Sequence, residues 1–183
     1  LSGIGELDLS GSSWILNGDF VKSNGIFKSL NTNLELQSSI TLTSDNENDL
    51  HFQNLDLNDL ILTLGSATSD LKVTNDMTFD TLSEQILTNA ADLNLQGGFV
   101  MQEGLVSSTG GSLLFKRGVE QSGGSIDISG STMSLSDNFS KTAGTLSTAT
   151  STLNLLDNIT ISSDSSLDFN QLELNNLTLT LGT

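Results

Sequence analysis

The stretch SGSTMSLSDNFSKTAGTLSTATSTLNLLDNITISSDSSLDFNQLELNNLTLTLGT, residues 129–183, repeats with drift the stretch SGSSWILNGDFVKSNGIFKSLNTNLELQSSITLTSDNENDLHFQNLDLNDLILTLGS, residues 10–66. Roughly 40 % of the aligned positions are identical, a level that marks an internal duplication. The copies are offset by 119 residues up to Asp45/Asp164 and by 117 from Leu50/Leu167 onward, so the only length change falls in the DNEND stretch. Loops absorb such changes and strands do not.

A finer beat of about twenty residues runs through both copies. Its landmarks are Leu16, Leu36, Leu57, Val73, Leu95, Phe115, Leu135, Leu155 and Leu174. Most stand in an alternating pair such as LEL (34–36), LDL (55–57), LKV (71–73) or LNL (93–95 and 153–155). Alternation puts one side chain in and the next one out, which is the period of a strand and not of a helix. Six steps, from Leu16 to Leu135, make up the 119-residue offset, so the large repeat is six small ones. Each small unit then adds a second apolar position (Phe20, Phe99, Val119, Phe139), a glycine (Gly25, Gly104, Gly124, Gly144) and a third apolar position (Ile26, Leu105, Ile126, Leu146). Three short strands and three corners fit this spacing.

Composition agrees through what it omits. The chain has no proline, which a stack of strands paired on both sides must exclude because proline cannot donate to the ladder. Glycine pairs at Gly97-Gly98, Gly110-Gly111 and Gly123-Gly124 are expected at corners needing positive φ. The stretch TLSEQILTNAA (81–91) is the only place where a short helix competes with a strand. These patterns predict an all-β, parallel β-solenoid of about twenty residues per rung and roughly nine rungs, a single continuous unit over residues 1–183. At the rung spacing of stacked strands that is a rod roughly 40–45 Å long. One rung cannot offset the ordering of its own backbone, so its stability must come from the rungs above and below. No capping helix or charged terminal rung stands at either end, and the expected partners are neighbouring repeats or subunits of the same protein, stacked end to end.

Charge narrows the function classes. With 22 acidic against 6 basic residues the net charge is −16. Nucleic acid and anionic membranes are poor partners on that balance, and no apolar run is long enough to be a membrane-spanning helix, so neither nucleic-acid binding nor membrane insertion is expected. Cysteine is absent, so no disulfide framework is expected. The oxygen-rich run DNEND places Asp45, Glu47 and Asp49 as candidate calcium ligands, although the glycine and glutamate positions of an EF-hand loop are missing. The bland alternative is a solvated acidic turn, and no metal or other cofactor is assigned.

Catalytic signals are weak. His51, the single histidine, becomes Asp168 in the second copy and reads as an outward-facing residue. Asp56 and Asp59 could form a carboxylate pair for sugar cleavage, but the aromatic platforms of such clefts are missing. Trp14 aligns with Met133 and reads as a core or corner hydrophobe. Threonine pairs Thr41/Thr43 and Thr178/Thr180 would suit an ice-binding face only if they recurred on each rung, and they do not. The sequons at Asn138, Asn158 and Asn176 align with Asp19, Ser39 and Asp59.

The units FSKTAGTLSTATSTLNL, FVMQEGLVSSTGGSLLF and FVKSNGIFKSLNTNLEL resemble the repeats of large secreted bacterial surface proteins with β-helical shafts, including filamentous-haemagglutinin-like adhesins. The resemblance covers essentially the whole chain. It implies a right-handed parallel β-helix, export to the cell surface, and service as the stalk or filament shaft of an extracellular fibre or adhesin with no catalytic role. An acidic face that binds calcium or a glycan is the alternative. A carbohydrate-active β-helix enzyme is a more remote one.

Overall fold

In a computed structural model that describes residues 5–46 and 49–182, the chain is a parallel β-solenoid of about nine turns, with no helix among the described residues. Every strand pairing is parallel. One sheet stacks nine strands in chain order: Ser13–Leu16, Thr32–Leu36, Leu50–Asp56, Leu71–Val73, Leu93–Leu95, Ser112–Phe115, Thr132–Leu135, Thr152–Leu155 and Gln171–Glu173. A second, eleven-stranded sheet wraps the rest of the coil, from Phe20–Val21 to Leu179–Gly182. A two-stranded sheet, Glu6–Asp8 with Ile26–Lys28, begins the stack.

Alternation in the sequence becomes columns in space. Leu71, Leu93, Leu113, Met133, Leu153 and Leu172 pair in succession, and so do Val73, Leu95, Phe115, Leu135 and Leu155. The inward members from Leu34 to Leu155 are almost fully buried, and they form one continuous apolar core from Phe27 to Ile161. Phe52, Phe79, Phe99, Phe115 and Phe139 are its largest fully buried side chains, with Phe79, Phe99 and Phe115 in successive ring contacts at 5.4 and 5.7 Å. Trp14 packs edge-on to Phe20 at 5.0 Å near the first turn.

The ladder of landmarks is not one straight column. Val73 sits over Phe52, not over Leu57. Strand Leu50–Asp56 is long enough to serve two neighbours: its first half carries Leu71–Val73, its second half lies on residues 33–35, and the register shifts between Thr32 and Asn33. The step from Leu57 to Val73 is therefore a rung that only looks short: the landmark column jogs within strand Leu50–Asp56, and Val73 stands over Phe52 at the ordinary spacing. Of the nine landmarks, Leu16 is only partly buried and Leu174 is 40 % exposed, because each belongs to a turn near one end of the stack.

Residues 81–91 show no helix. Glu84 Oε2 accepts the backbone N–H groups of Asp80 and Thr81, at 2.7 and 3.3 Å, which closes a turn, and Gln85–Asn89 follows as a strand. The glycine pairs divide two tasks. Gly110 and Gly124 have positive φ, whereas a Cβ on Gly123 would lie 1.7 Å from the Gln102 carbonyl, so there the issue is close approach between turns. Several corners are built without glycine: Asn31, Asn58, Asp59, Asn89, Thr150, Asn175 and Asn176 all have positive φ. Asparagine tolerates that conformation because its side chain hydrogen-bonds locally. Asn58 Nδ2 donates to the Leu36 carbonyl at 2.8 Å, and its counterpart Asn175 donates to the Leu155 carbonyl at 2.9 Å.

Candidate functional site

The features of the coil that could serve a function fall into three groups. The first consists of Asp, Asn and Ser side chains at the start of a strand, each accepting a backbone N–H from the turn above. Asp19 takes that of Thr41 (2.6 Å), Ser39 that of Ile61 (3.1 Å), Asp70 that of Asp92 (2.8 Å), Asp76 that of Gly98 (2.7 Å) and Asp92 that of Ser112 (2.7 Å). In the second copy the sequon residues do the same: Asn138 receives the Thr160 N–H at 2.6 Å and Asn158 the Thr178 N–H at 2.7 Å. Backbone donors cannot be left unpaired cheaply, and an oxygen from the turn below satisfies them where the ladder starts. Asp19 and Asn138, like Ser39 and Asn158, differ in residue type and share the task.

A second group is buried charge. Lys22, 4 % exposed, points its ammonium at Asp45 Oδ1 (2.5 Å) and Asp49 Oδ2 (2.8 Å). Asp49 also accepts a hydrogen bond from Ser44 Oγ at 2.5 Å. Burial works against the charge on Lys22, but the hydrogen bonds and fields of Asp45 and Asp49 outweigh it and hold the amine above its ordinary value of 10.5. In the second copy Lys141, equally buried, pairs with Asp164 and reaches Ser165 Oγ at 3.1 Å. The hydrogen bond from Lys141 is the main cause that keeps the Asp164 carboxyl below its ordinary value. Two of the three candidate calcium ligands, Asp45 and Asp49, are thus ion-paired with lysine. The third, Glu47, lies outside the described residues. Among the described residues no three His, Asp or Glu converge in a geometry that could hold a metal ion.

This pair was the functional pattern least visible in the sequence, although its signal is there. Lys22 and Lys141, and likewise Asp45 and Asp164, are 119 residues apart. Counting basic clusters along the chain hides a pairing that crosses a turn.

The remaining candidates are dispersed. His51 lies on the outer side of its strand opposite Lys72, with Nε2 3.1 Å from Thr74 Oγ1; burial first, and the Lys72 charge second, push its imidazole below the ordinary value. Asp56 Oδ1 accepts the Asn58 N–H, and Asp59 Oδ1 accepts from Thr81 Oγ1 at 2.6 Å, so each carboxylate is engaged in its own corner. Thr41 pairs with Thr63, but the column continues as Leu87, Ser107 and Asp127, which breaks any threonine rank. A hollow of about 380 Å³ opens on the outer face of the nine-stranded sheet beside Lys72, Asp92, Asn94, Leu114 and Ser134, and the Asn94 Oδ1 atom is buried there without a hydrogen-bond partner.

The third group is the two ends. At the C-terminal end an apolar depression of about 230 Å³ is lined by Leu153, Ile161, Leu167, Phe169, Leu179 and Leu181, among others. At the opposite end Leu7, Leu9, Trp14, Leu16 and Phe20 pack against the core while only partly buried. No protein-family model matches the chain, and no curated protein or solved structure is significantly similar to it.

Proposed function

We propose that this chain is a structural segment of the shaft of an extracellular fibre or adhesin, without a catalytic role. One observation carries the reading: from turn to turn the chain's hydrogen-bonding capacity and its apolar side chains are used on the neighbouring turns. Backbone groups pair in two long parallel sheets, inward residues fill one continuous core, and the Asp, Asn and Ser acceptors tie turn to turn. A solenoid with nearest-neighbour contacts lengthens by adding turns without changing its cross-section, which is what a stalk requires. The net charge of −16 favours solubility of such a rod and opposes lateral association. Extracellular placement rests on the resemblance of the repeat units to those of secreted surface proteins.

The alternative, a binding module, has one observation in its favour: the hollow beside Lys72, with the unpaired Asn94 oxygen, offers a polar surface of the kind a glycan hydroxyl can meet. For calcium the engaged state of Asp45 and Asp49 offers no support. Duplicating residues 10–128 in register, so that a second Ser10 follows Ile128 and the chain then runs on to its end, is expected to lengthen the rod seen by electron microscopy by six rungs, about 29 Å, with its cross-section unchanged. Globular particles, or two rods joined by a flexible hinge, would overturn the shaft reading.

A further inference from the structure

The two copies of the long repeat meet different surroundings, and the first shows what the second lacks. Residues 167–169 correspond to 50–52, and residues 179–181 to 62–64. In the first copy Leu50 and Phe52 lie in register beneath Leu71 and Val73, while residues 61–63 lie beneath 85–87. Leu50, Phe52, Leu62 and Leu64 are fully buried there. At the C-terminal end the same positions are Leu167, Phe169, Leu179 and Leu181, and they line the open depression; Leu181 is 75 % exposed where Leu64 is 0 % exposed.

We infer that this C-terminal face is a template for one further turn of the same fold, and that the turn it accepts has the chemistry of residues 67–89: Leu-x-Val laid over 167–169, and an inward Ile over Leu179. The inference rests on the shaft reading and specifies its joint. Charge favours the same occupant. Lys72 stands opposite His51 in the first copy, but position 168 is Asp, so a lysine at the corresponding place would meet a carboxylate across the strand pair.

The first turn of a second copy is a poorer fit. By the 119-residue offset, Glu6–Asp8 corresponds to residues 125–127, in the column of 85–87 and 61–63; Ser13–Leu16 corresponds to Thr132–Leu135, in the column of 71–73 and 50–52. A second copy therefore brings these two strands in the reverse order, and bare end-to-end contact would leave part of a turn uncovered. The accepting face selects a turn that begins with the strand over 167–169.

The test titrates the full chain with a synthetic peptide of residues 67–89 and follows backbone hydrogen exchange. The expected result is saturable one-to-one binding that slows exchange at 167–169 and 179–182 about tenfold or more, with residues 6–16 unchanged. A Lys72→Glu peptide is expected to bind several-fold more weakly and to regain affinity on an Asp168→Lys chain. No slowing up to about millimolar peptide, equal slowing by a scrambled peptide, or indifference to the charge reversal would each overturn the inference. Appending the same segment covalently to the C-terminus removes the cost of association, and continued fast exchange at 179–182 in that extended chain would overturn it too. Rod dimensions measured without peptide are independent of this outcome, so failure of the joint and failure of the shaft reading are separable.

Discussion

Residues 33–64 and 152–181 are related by duplication, yet they lead different physical lives. Leu57 is 2 % exposed and Leu174 is 40 % exposed; Leu64 is sealed and Leu181 is open. The strands are the same kind of strand, and the turn beneath is the same kind of turn. What differs is the turn above. In a solenoid, burial is a property of position in the stack rather than of a segment, as expected when each repeat contacts only its neighbours.

The comparison is most severely tested by truncating matched leucines. Leu64→Ala is expected to cost about 2–5 kcal/mol by chemical denaturation, and Leu181→Ala less than about 0.5 kcal/mol. Equal losses would mean that the C-terminal turn is covered in solution, and the contrast between copies would collapse.

A second contrast sets Lys22 against Lys141. Removing Lys22 leaves Asp49, only 8 % exposed, without its cation, so Lys22→Ala is expected to cost about 3 kcal/mol, as breaking a buried pair does. Lys141→Ala abandons Asp164, which is 42 % exposed and can be rehydrated, so its loss is expected to be smaller. The pH limbs should separate as well. Because the folded state holds Lys22 above 10.5, its contribution is complete below 10.5 and disappears as pH rises through the higher folded value. Asp164 is held below 3.8, so its contribution is complete above 3.8 and disappears as pH falls through the lower folded value. Lys22→Ala should flatten the alkaline limb of the stability profile and Lys141→Ala the acid one. The same limb changing in both variants would refute this division.

The smallest effect belongs to His51 and its counterpart Asp168. The folded state depresses the His51 pKa below 6.5, so the unfolded chain takes up the proton first. Stability should be unaffected above pH 6.5 and decline gently as pH falls below it. His51→Asp, which installs the second copy's residue opposite Lys72, is expected to abolish that slope in equilibrium unfolding measured between pH 7 and 5. A slope that survives must arise elsewhere.

Much of this architecture was legible in the chain. The x-φ-x-φ pairs name the inward columns, and the missing prolines say that strands are paired on both sides. The jog at Leu50–Asp56 was not legible, because both halves of that strand alternate correctly and only register distinguishes which neighbour each half serves. Asn58 and Asn175 are turn-favouring residues by type, but that they would take the positive φ expected of glycine was not legible. The Lys22 and Lys141 pairs were missed for a related reason: each joins residues 23 apart, a distance with no meaning until the coil's circumference is known. The changes Asp19 to Asn138 and Ser39 to Asn158 looked like drift, whereas any side chain with an acceptor oxygen suffices there.

By itself the sequence determined the strand period, the twenty-residue rung and the hierarchy of six rungs in a large repeat, since alternation and recurrence are local properties of a chain. Tertiary structure alone decided which of two equivalent leucines is core, which carboxylate meets a lysine and which face stands open. Those depend on what lies one turn above or below, and in a stack of coils the hydrogen bonds and apolar contacts that set stability run between turns.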